Sequence, residues 1–207
     1  MAQRIRVLCV DDHPLMRDGI AFALQSQNDM ELVGQAVSGE DAVALFRELR
    51  PDVTLMDLQM PGMNGITAIE HIRAEYPKAK IVVLTTYSGD VQASRALKAG
   101  VMGYLLKDML RTELVGTIRA VHGGARRIPP EIAAELADHF SADALSQREI
   151  EVLRNVAKGN SNKIVADDLK ISEDTVKGHM KNILSKLGAN DRTHAVLIAM
   201  KRGFLDA

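Results

Sequence analysis

Val53-Thr54-Leu55-Met56 is a short, strongly apolar run that ends directly in Asp57. Three further apolar runs end in polar residues in the same way: residues 7–10 before Asp11 and Asp12, residues 81–84 before Thr85, and residues 103–106 before Lys107. The carboxyl ends of parallel strands share one edge of a sheet, where α/β folds bind ligands. The five polar side chains are therefore predicted to converge, and their chemistry suits a divalent cation and a phosphoryl group.

The segments between these runs carry apolar residues at helical spacing. The predicted strands are 5–10, 31–37, 53–56, 80–84 and 103–106, and the predicted helices are 14–25, 39–50, 65–75, 90–99 and 111–122. Ser38 is expected to cap the second helix, and Pro51 to end it. Five strand–helix repeats predict an α/β domain with a parallel sheet, helices on both faces and right-handed crossovers.

Composition restricts the class of protein further. The chain has 207 residues, 46% of them hydrophobic, a net charge of -1 and a small excess of basic residues near its C-terminus. Its single cysteine, Cys9, lies within an apolar run, which excludes an intrachain disulfide and favours a core position in a reducing compartment. We expect neither a signal peptide nor a membrane span, and a cytoplasmic location.

The α/β rhythm stops at a segment rich in glycine, proline and arginine, residues 123–130, which predicts a domain boundary. A short linker helix is expected over residues 131–140. Everything from Leu145 onward has helical periodicity.

Three helices are predicted in the first part of the C-terminal segment, and a tight turn joins the second to the third. Ser146 and Glu149 form a capping-box pattern before the first of its helices. A second helix covers about residues 161–169, and Ser172 starts a third, whose outer face carries Lys177 and Lys181. This pattern is typical of a helix-turn-helix, whose second helix enters the DNA major groove. From charge alone, a solvated helix face explains these lysines equally well.

Three segments resemble the receiver domain of bacterial response regulators: VDDHP at 10–14, LMDLQMPGMNG at 55–65 and GYLLKD at 103–108. The resemblance covers residues 4–122 and implies a flavodoxin-like fold with strand order 2-1-3-4-5. It implies that Asp57 is phosphorylated by a sensor histidine kinase. The implied Mg²⁺ ligands are Asp11, Asp12, Asp57 and the Gln59 backbone carbonyl, and the implied phosphate-sensing residues are Thr85, Tyr104 and Lys107. The Tyr104 ring is expected to turn inward on phosphorylation, and Gln59 and Tyr87 to tune hydrolysis of the phosphorylated state.

A second resemblance covers the C-terminal part. LSQRE at 145–149, GNSNK at 159–163 and TVKGHMKNILSKL at 175–187 resemble the LuxR-type four-helix DNA-binding domain. The resemblance implies that Lys177, Gly178 and Lys181 face DNA bases. It places near phosphates Ser161, Asn162, Lys163, Thr175, Asn182, Arg192 and Thr193. Ile164 departs from the family, which often has glutamate there.

The whole chain thus resembles a NarL/FixJ-type response regulator. The expected organisation is a receiver domain at 4–122, a linker at 123–141 and a LuxR-type helix-turn-helix domain at 142–207. Phosphorylation is expected to produce a homodimer that binds double-stranded promoter DNA and regulates transcription, with RNA polymerase as a possible further partner. We expect no enzyme activity beyond Mg²⁺-dependent self-phosphorylation and autodephosphorylation at Asp57.

Two other classes of function fit parts of the pattern. One is a phosphotransfer enzyme or phosphatase of similar topology, which would need a substrate pocket and further acid–base groups. The other is an adaptor whose C-terminal helices bind a partner protein rather than DNA.

Overall fold

The computed structural model describes residues 4–86, 90–130, 132–134 and 145–205. The chain forms two compact units, one containing the sheet and its helices and the other the C-terminal helices. Tyr87 lies outside the described residues. Of the helix predicted over 131–140, only residues 132–134 are described, and these are helical. No helix in the described part of the chain is long and apolar enough to cross a membrane.

Five parallel strands form one sheet in the order β2-β1-β3-β4-β5, which confirms the predicted topology. The strands are β1 Ile5–Val10, β2 Met30–Ala36, β3 Val53–Asp57, β4 Ile81–Thr85 and β5 Gly103–Leu106. All residues of β3 and β4 are buried, as expected for central strands that are covered on both faces. The register sets Asp57 beside Leu84 and Thr85 beside Leu106, so these carboxyl ends meet at one edge.

Five helices follow the strands in turn: α1 Pro14–Gln25, α2 Gly39–Leu49, α3 Gly65–Glu75, α4 Asp90–Lys98 and α5 Leu110–His122. Ser38 and Asn64 cap α2 and α3 by accepting backbone N–H bonds, and Pro14 occupies the first turn of α1. A short 3-10 turn, Lys107–Met109, joins β5 to α5.

One core of the sheet unit lies between the strands, α1 and α5. It contains Val7, Cys9, Leu55 and Leu84, packed against Ile20 and other apolar residues. Burial raises the pKa of the Cys9 thiol to about 12, with a smaller contribution from the nearby Asp11 carboxylate. Cys9 therefore stays protonated at neutral pH and is a core residue rather than a nucleophile.

Within residues 145–205 the C-terminal unit has four helices: α6 Gln147–Ala157, α7 Asn162–Leu169, α8 Glu173–Leu187 and α9 Arg192–Arg202. Each begins with a side-chain cap, and the capping box predicted for Ser146 and Glu149 is present. Their core includes Val152, Leu153, Val165, Val176, Ile183 and Ala195. Val152, Leu153 and Val156 of α6 are buried, whereas Ala157 at its end is exposed.

The outer edge of β5 carries a segment that the sequence suggested was only linker. Arg127 forms an isolated parallel bridge with Gly103. The Arg127 N–H donates to the Met102 carbonyl at 2.9 Å, and the Tyr104 N–H donates to the Arg127 carbonyl at 2.8 Å. We call residues 125–128 the edge segment.

Candidate functional site

Three carboxylates converge where β1 and β3 end. Asp11 and Asp12 follow β1, Asp57 closes β3, and His13 stands beside them. One potential ligand atom from each of these four residues lies within 4.8 Å of the others. Asp11 and Asp57 are buried, Asp12 is half-buried and His13 is exposed. The structure thus brings together the acidic residues that the strand-end pattern selected.

Lys107 bridges two of these carboxylates. Its ammonium lies 2.8 Å from Asp11 Oδ2 and 2.8 Å from Asp57 Oδ2. The 3-10 turn after β5 places it there, with its side chain only 8% exposed. The positive charge of Lys107 partly neutralises the three neighbouring carboxylates and leaves the cluster with net negative charge.

Burial and pairing act against each other at this site. Burial raises the pKa of Asp57, and the hydrogen bond from Lys107 offsets only part of that effect. Burial alone would lower the pKa of Lys107, but its hydrogen bonds to Asp11 and Asp57 outweigh burial and raise it. Lys107 is therefore a permanent cation in the pocket.

Two residues that support Asp11 were not predicted from the sequence. The His13 backbone N–H donates to Asp11 Oδ1 at 2.9 Å. Arg17 on α1 donates to the Asp11 backbone carbonyl at 2.7 Å. The clue was the position of α1 directly after the carboxylates, since its first turn has to face them.

The loop after β3 holds the other side of Asp57. The Gln59 N–H donates to Asp57 Oδ1 at 3.2 Å. Gly65 starts α3 so close to this loop that a Cβ there would overlap the Asp57 carbonyl oxygen. The Gly65 N–H in turn donates to the Leu58 carbonyl at 3.1 Å. Gly65 thus allows α3 to pack directly against the backbone of Asp57.

The residues present suit a hard divalent cation. The donor set consists of carboxylate oxygens at a partly open pocket, which are the ligands that Mg²⁺ takes in proteins. Asp12 Oδ1 is shielded from solvent and accepts no well-formed hydrogen bond from the described residues, although His13 Nδ1 lies 2.8 Å away. A bound cation would supply this oxygen with a partner.

The remaining predicted receiver residues lie on the neighbouring strands. Thr85 ends β4 and is buried. The Tyr104 side chain on β5 is 1% exposed, so the ring already occupies an inward position in this structure. Thr85 and Lys107 lie at successive strand ends beside Asp57, whereas Tyr104 lies within β5 beside Val83. The sensing role of these residues stays a prediction.

The C-terminal unit contains the predicted helix-turn-helix geometry. Helix α7 ends at Lys170, whose left-handed backbone turns the chain into α8. Four residues of α8 form its core face: Val176, Met180, Ile183 and Leu187. The residues predicted to face DNA bases are all exposed on the opposite side: Lys177, Gly178 and Lys181.

One of these lysines has a partner on its own helix. The Lys177 ammonium lies 2.8 Å from Asp174 Oδ1, one turn earlier. The hydrogen bond that Lys177 donates to Asp174 raises the pKa of Lys177. Because both side chains are exposed, this pair is weak and does not fix the Lys177 side chain in place.

The predicted phosphate contacts are spread over three places in the unit. Ser161, Lys163, Thr175, Asn182, Arg192 and Thr193 are exposed, and Asn162 is half-buried. Arg192 donates to the Asn160 carbonyl at 2.8 Å, which ties the start of α9 to the residues before α7. Two of these residues also stabilise helix N-termini. Ser161 caps α7, and the Thr175 hydroxyl shares a hydrogen bond with the hydroxyl of Ser172, which caps α8.

The sequence did not predict a partly buried ion pair inside this unit. Lys186 on α8 donates to Glu149 Oε2 at 2.9 Å, and the same oxygen accepts the Ser146 N–H at 2.7 Å. Burial opposes ionisation of Glu149, but Lys186 and Ser146 outweigh it and lower the pKa of Glu149. The capping pattern identified Glu149 without showing that it also joins α6 to α8.

Two family models match the chain. Residues 7–119 match the response regulator receiver domain, and residues 143–199 match the bacterial regulatory proteins of the luxR family. Together they cover both compact units.

Named relatives match along nearly their full length. The transcriptional regulatory protein YxjL of Bacillus subtilis is 40% identical over 213 residues, covering 98% of each chain. The response regulator protein VraR of Staphylococcus epidermidis is 39% identical over 206 residues, covering 97% of this chain and 99% of VraR.

Solved structures show the same architecture. The response regulator ChrA of a heme-sensing two-component system is 38% identical with a TM-score of 0.59, covering 99% of this chain and 100% of ChrA. The response regulator RcsB in a complex with DNA is 27% identical with a TM-score of 0.70, covering 96% of this chain and 99% of RcsB.

Proposed function

The chain belongs to the two-component response regulators with a LuxR-type DNA-binding domain, and from that membership we propose that phosphorylation of Asp57 controls its binding to promoter DNA. The observation that carries the proposal is the joint placement of Asp57, Asp11 and Lys107. A buried carboxylate beside a second acid and a fixed ammonium is equipped to accept and hold a phosphoryl group.

The phosphoryl donor is proposed to be the phosphohistidine of a sensor kinase in the cytoplasm. One Asp57 oxygen attacks phosphorus, the new P–O bond forms as the P–N bond breaks, and the electron pair returns to the kinase imidazole, which takes up a proton. Lys107 then transfers its ion pair from Asp57 to the phosphoryl oxygens. Mg²⁺, held by Asp11, Asp12, Asp57 and the Gln59 carbonyl, would supply charge neutralisation.

We propose that the chemistry of the chain is limited to this self-phosphorylation and its reversal by water. Gln59 is positioned to influence that reversal, because its backbone N–H already holds Asp57 Oδ1. The phosphoryl group is a stored signal here, and no turnover of a separate substrate is proposed.

Phosphorylation is proposed to act on DNA binding through dimerisation. Thr85 would donate to the phosphoryl group, and the buried position of the Tyr104 ring would be favoured. Both changes would shift a pre-existing equilibrium between two conformations of the receiver unit. One solved relative is described as two RcsB dimers bound to two parallel DNAs. On this chain, α1 presents Leu15 and Phe22 with 87% and 76% exposure, one heptad apart on the same helix. Apolar side chains exposed to that extent favour a protein contact.

In the dimer, each copy would place α8 in the major groove of one half-site. Lys177, Gly178 and Lys181 would face the bases, with Lys163 and Arg192 near phosphates. RNA polymerase is a further partner that we propose for the DNA-bound state.

The test compares wild type with Asp57→Asn, before and after treatment with a small phosphoryl donor and Mg²⁺. Phosphate-affinity gels should show one phosphorylated species in wild type and none in Asp57→Asn. Fluorescence anisotropy on promoter DNA should show tighter binding only for phosphorylated wild type. Asp41→Asn, at an exposed position on α2, is the matched control and should behave as wild type. Equal DNA affinity with and without the phosphoryl group would refute the proposal.

A further inference from the structure

The edge segment 125–128 is attached to β5 at the residue that the switch is expected to use. Arg127 bonds on both sides of Gly103, accepting from the Tyr104 N–H and donating to the Met102 carbonyl. The Tyr104 side chain is buried. A movement of the Tyr104 ring that involves its backbone torsions displaces the N–H that holds Arg127.

The attachment is weak enough to respond to the switch. It consists of an isolated bridge with two backbone hydrogen bonds, and the net stabilisation from each such bond is small. Ligand-driven equilibria commonly involve energies of this size. A cavity of about 210 Å³ is bordered by Tyr104, Glu113 and Pro129, so the segment and the ring have space to rearrange beside α5.

Hydrogen bonds and prolines hold the described chain on either side of Arg127. Upstream, Gly124 reverses the chain with φ +89°, and the Ala125 N–H donates to the Ala120 carbonyl of α5. Downstream, Pro129 and Pro130 restrict Ile128 to extended backbone and fix two φ angles. The Ala133 N–H then donates to the Pro129 carbonyl, and Ile132 is fully buried. The described residues 127–130 therefore have few free torsions.

We propose that the Arg127 backbone is a positioning element that couples the state of β5 and Tyr104 to the chain leading to the DNA-binding helices. The proposal rests on the proposed function, since it describes how phosphorylation of Asp57 would be passed on. The contact is made by main-chain atoms, so the side chain of Arg127 is not required for it.

Arg127→Pro removes the N–H that bonds Met102, whereas the matched control Arg127→Ala removes only the side chain. Each variant is phosphorylated as the full chain, its phosphorylated fraction is measured on gels, and DNA affinity is measured with and without phosphorylation. Arg127→Pro should be phosphorylated like wild type but keep less than one third of the wild-type gain in DNA affinity. Arg127→Ala should keep the wild-type gain. A full gain in Arg127→Pro, or an equal loss in Arg127→Ala, overturns the proposal.

A second measurement on wild type does not depend on the folding of a variant. Amide hydrogen exchange at Arg127 and Tyr104 should change severalfold on phosphorylation, because both N–H groups belong to the bridge. Unchanged exchange at both amides overturns the proposal while leaving the proposed function intact. If wild type is phosphorylated but shows no gain in DNA affinity, the proposed function itself fails, and this coupling fails with it.

Discussion

Lys107 stabilises the buried carboxylates of the acidic pocket in the folded protein. Asp11 and Asp57 are both buried, and each has an oxygen 2.8 Å from the Lys107 ammonium. Without a cation, two buried carboxylates so close together could not both remain ionised. The same lysine therefore stabilises the unphosphorylated protein and is available to pair with the phosphoryl group.

Replacing Lys107 by Met should lower the free energy of unfolding by about 3 kcal/mol at pH 7, because it leaves buried charges without their partner. In the variant the pKa of Asp57, which burial already raises, rises further above its unfolded value because the lowering effect of Lys107 is lost. Stability should therefore recover as pH falls from 7 toward about 5, where protonation removes the repulsion. Urea denaturation of the full chain at several pH values measures both effects. Lys78→Met, at an exposed position, should change neither.

Gly65 is required by the contact between α3 and the phosphorylation site. A Cβ there would overlap the Asp57 carbonyl and lie 2.9 Å from Leu58 Cα, and neither backbone can yield easily. Gly65→Ala should destabilise the receiver unit by about 1–3 kcal/mol and slow phosphorylation of Asp57.

Gly116→Ala is the control for this substitution. Gly116 lies in α5 with no atom near the added methyl group, so the change should be neutral or stabilise the helix by up to about 1 kcal/mol. Urea denaturation and phosphorylation time courses distinguish the two variants. Equal behaviour would show that the close approach at Gly65 has no functional consequence.

Sequence patterns predict the acidic pocket well but its supporting contacts poorly. Asp11, Asp57 and Lys107 are identifiable because each directly follows an apolar run, and parallel strands bring such ends together. The Arg17 contact to the Asp11 carbonyl gives a weaker signal: the position of α1 points to its first turn, but an arginine on an amphipathic helix is usually a solvated residue. Such partners depend on three-dimensional register rather than local spacing.

At the scale of elements, most helix and strand boundaries follow from local capping and periodicity. Ser38, Ser146 and Ser172 begin helices where the sequence predicts them. The edge segment 125–128 was missed because a single bridged residue has no alternating pattern. The glycines before this segment and the prolines after it predict only a domain boundary. A boundary is compatible both with a free linker and with a short pairing to a strand.

The contact between α6 and α8 should make the C-terminal unit sensitive to acid. The pKa of Glu149 is lowered in the folded state, so its stabilising effect is complete above its unfolded value of about 4.5 and declines as pH falls through the folded value. Glu149→Gln should lower the free energy of unfolding by about 1–3 kcal/mol at pH 7.

The difference between wild type and Glu149→Gln should shrink at pH 3.5, where urea denaturation followed by circular dichroism can measure it. Glu151→Gln is the control on the same helix, because Glu151 pairs with Arg148 at the partly exposed surface. If the Glu149 difference is the same at both pH values, its ion pair with Lys186 is not the source of stability.

At the scale of the whole molecule, the net charge of -1 gives no general attraction to DNA. Affinity must come from local groups on the C-terminal helices, such as Lys163 and Lys181, both exposed. Each neutralised phosphate contributes about -0.9 to the slope of log affinity against log salt concentration. A phosphorylated dimer on two half-sites should therefore show about twice the slope of one copy on one half-site.

Contacts to DNA phosphates and contacts to DNA bases can be distinguished, because the first depend on salt concentration and the second on DNA sequence. Lys163→Ala should weaken binding to all DNA sequences alike and reduce the slope by about 1 per copy, as expected for a phosphate contact. Lys181→Ala should instead lose about 1–3 kcal/mol of discrimination between promoter and scrambled DNA, as expected for a base contact. Anisotropy titrations with both DNAs at salt concentrations from about 50 to about 200 mM measure the slope and the discrimination. Affinities for DNA change by about 10³-fold within this range. If Lys181→Ala changes only the slope and not the discrimination, α8 does not read bases through this residue, and its outer face is an electrostatic surface alone.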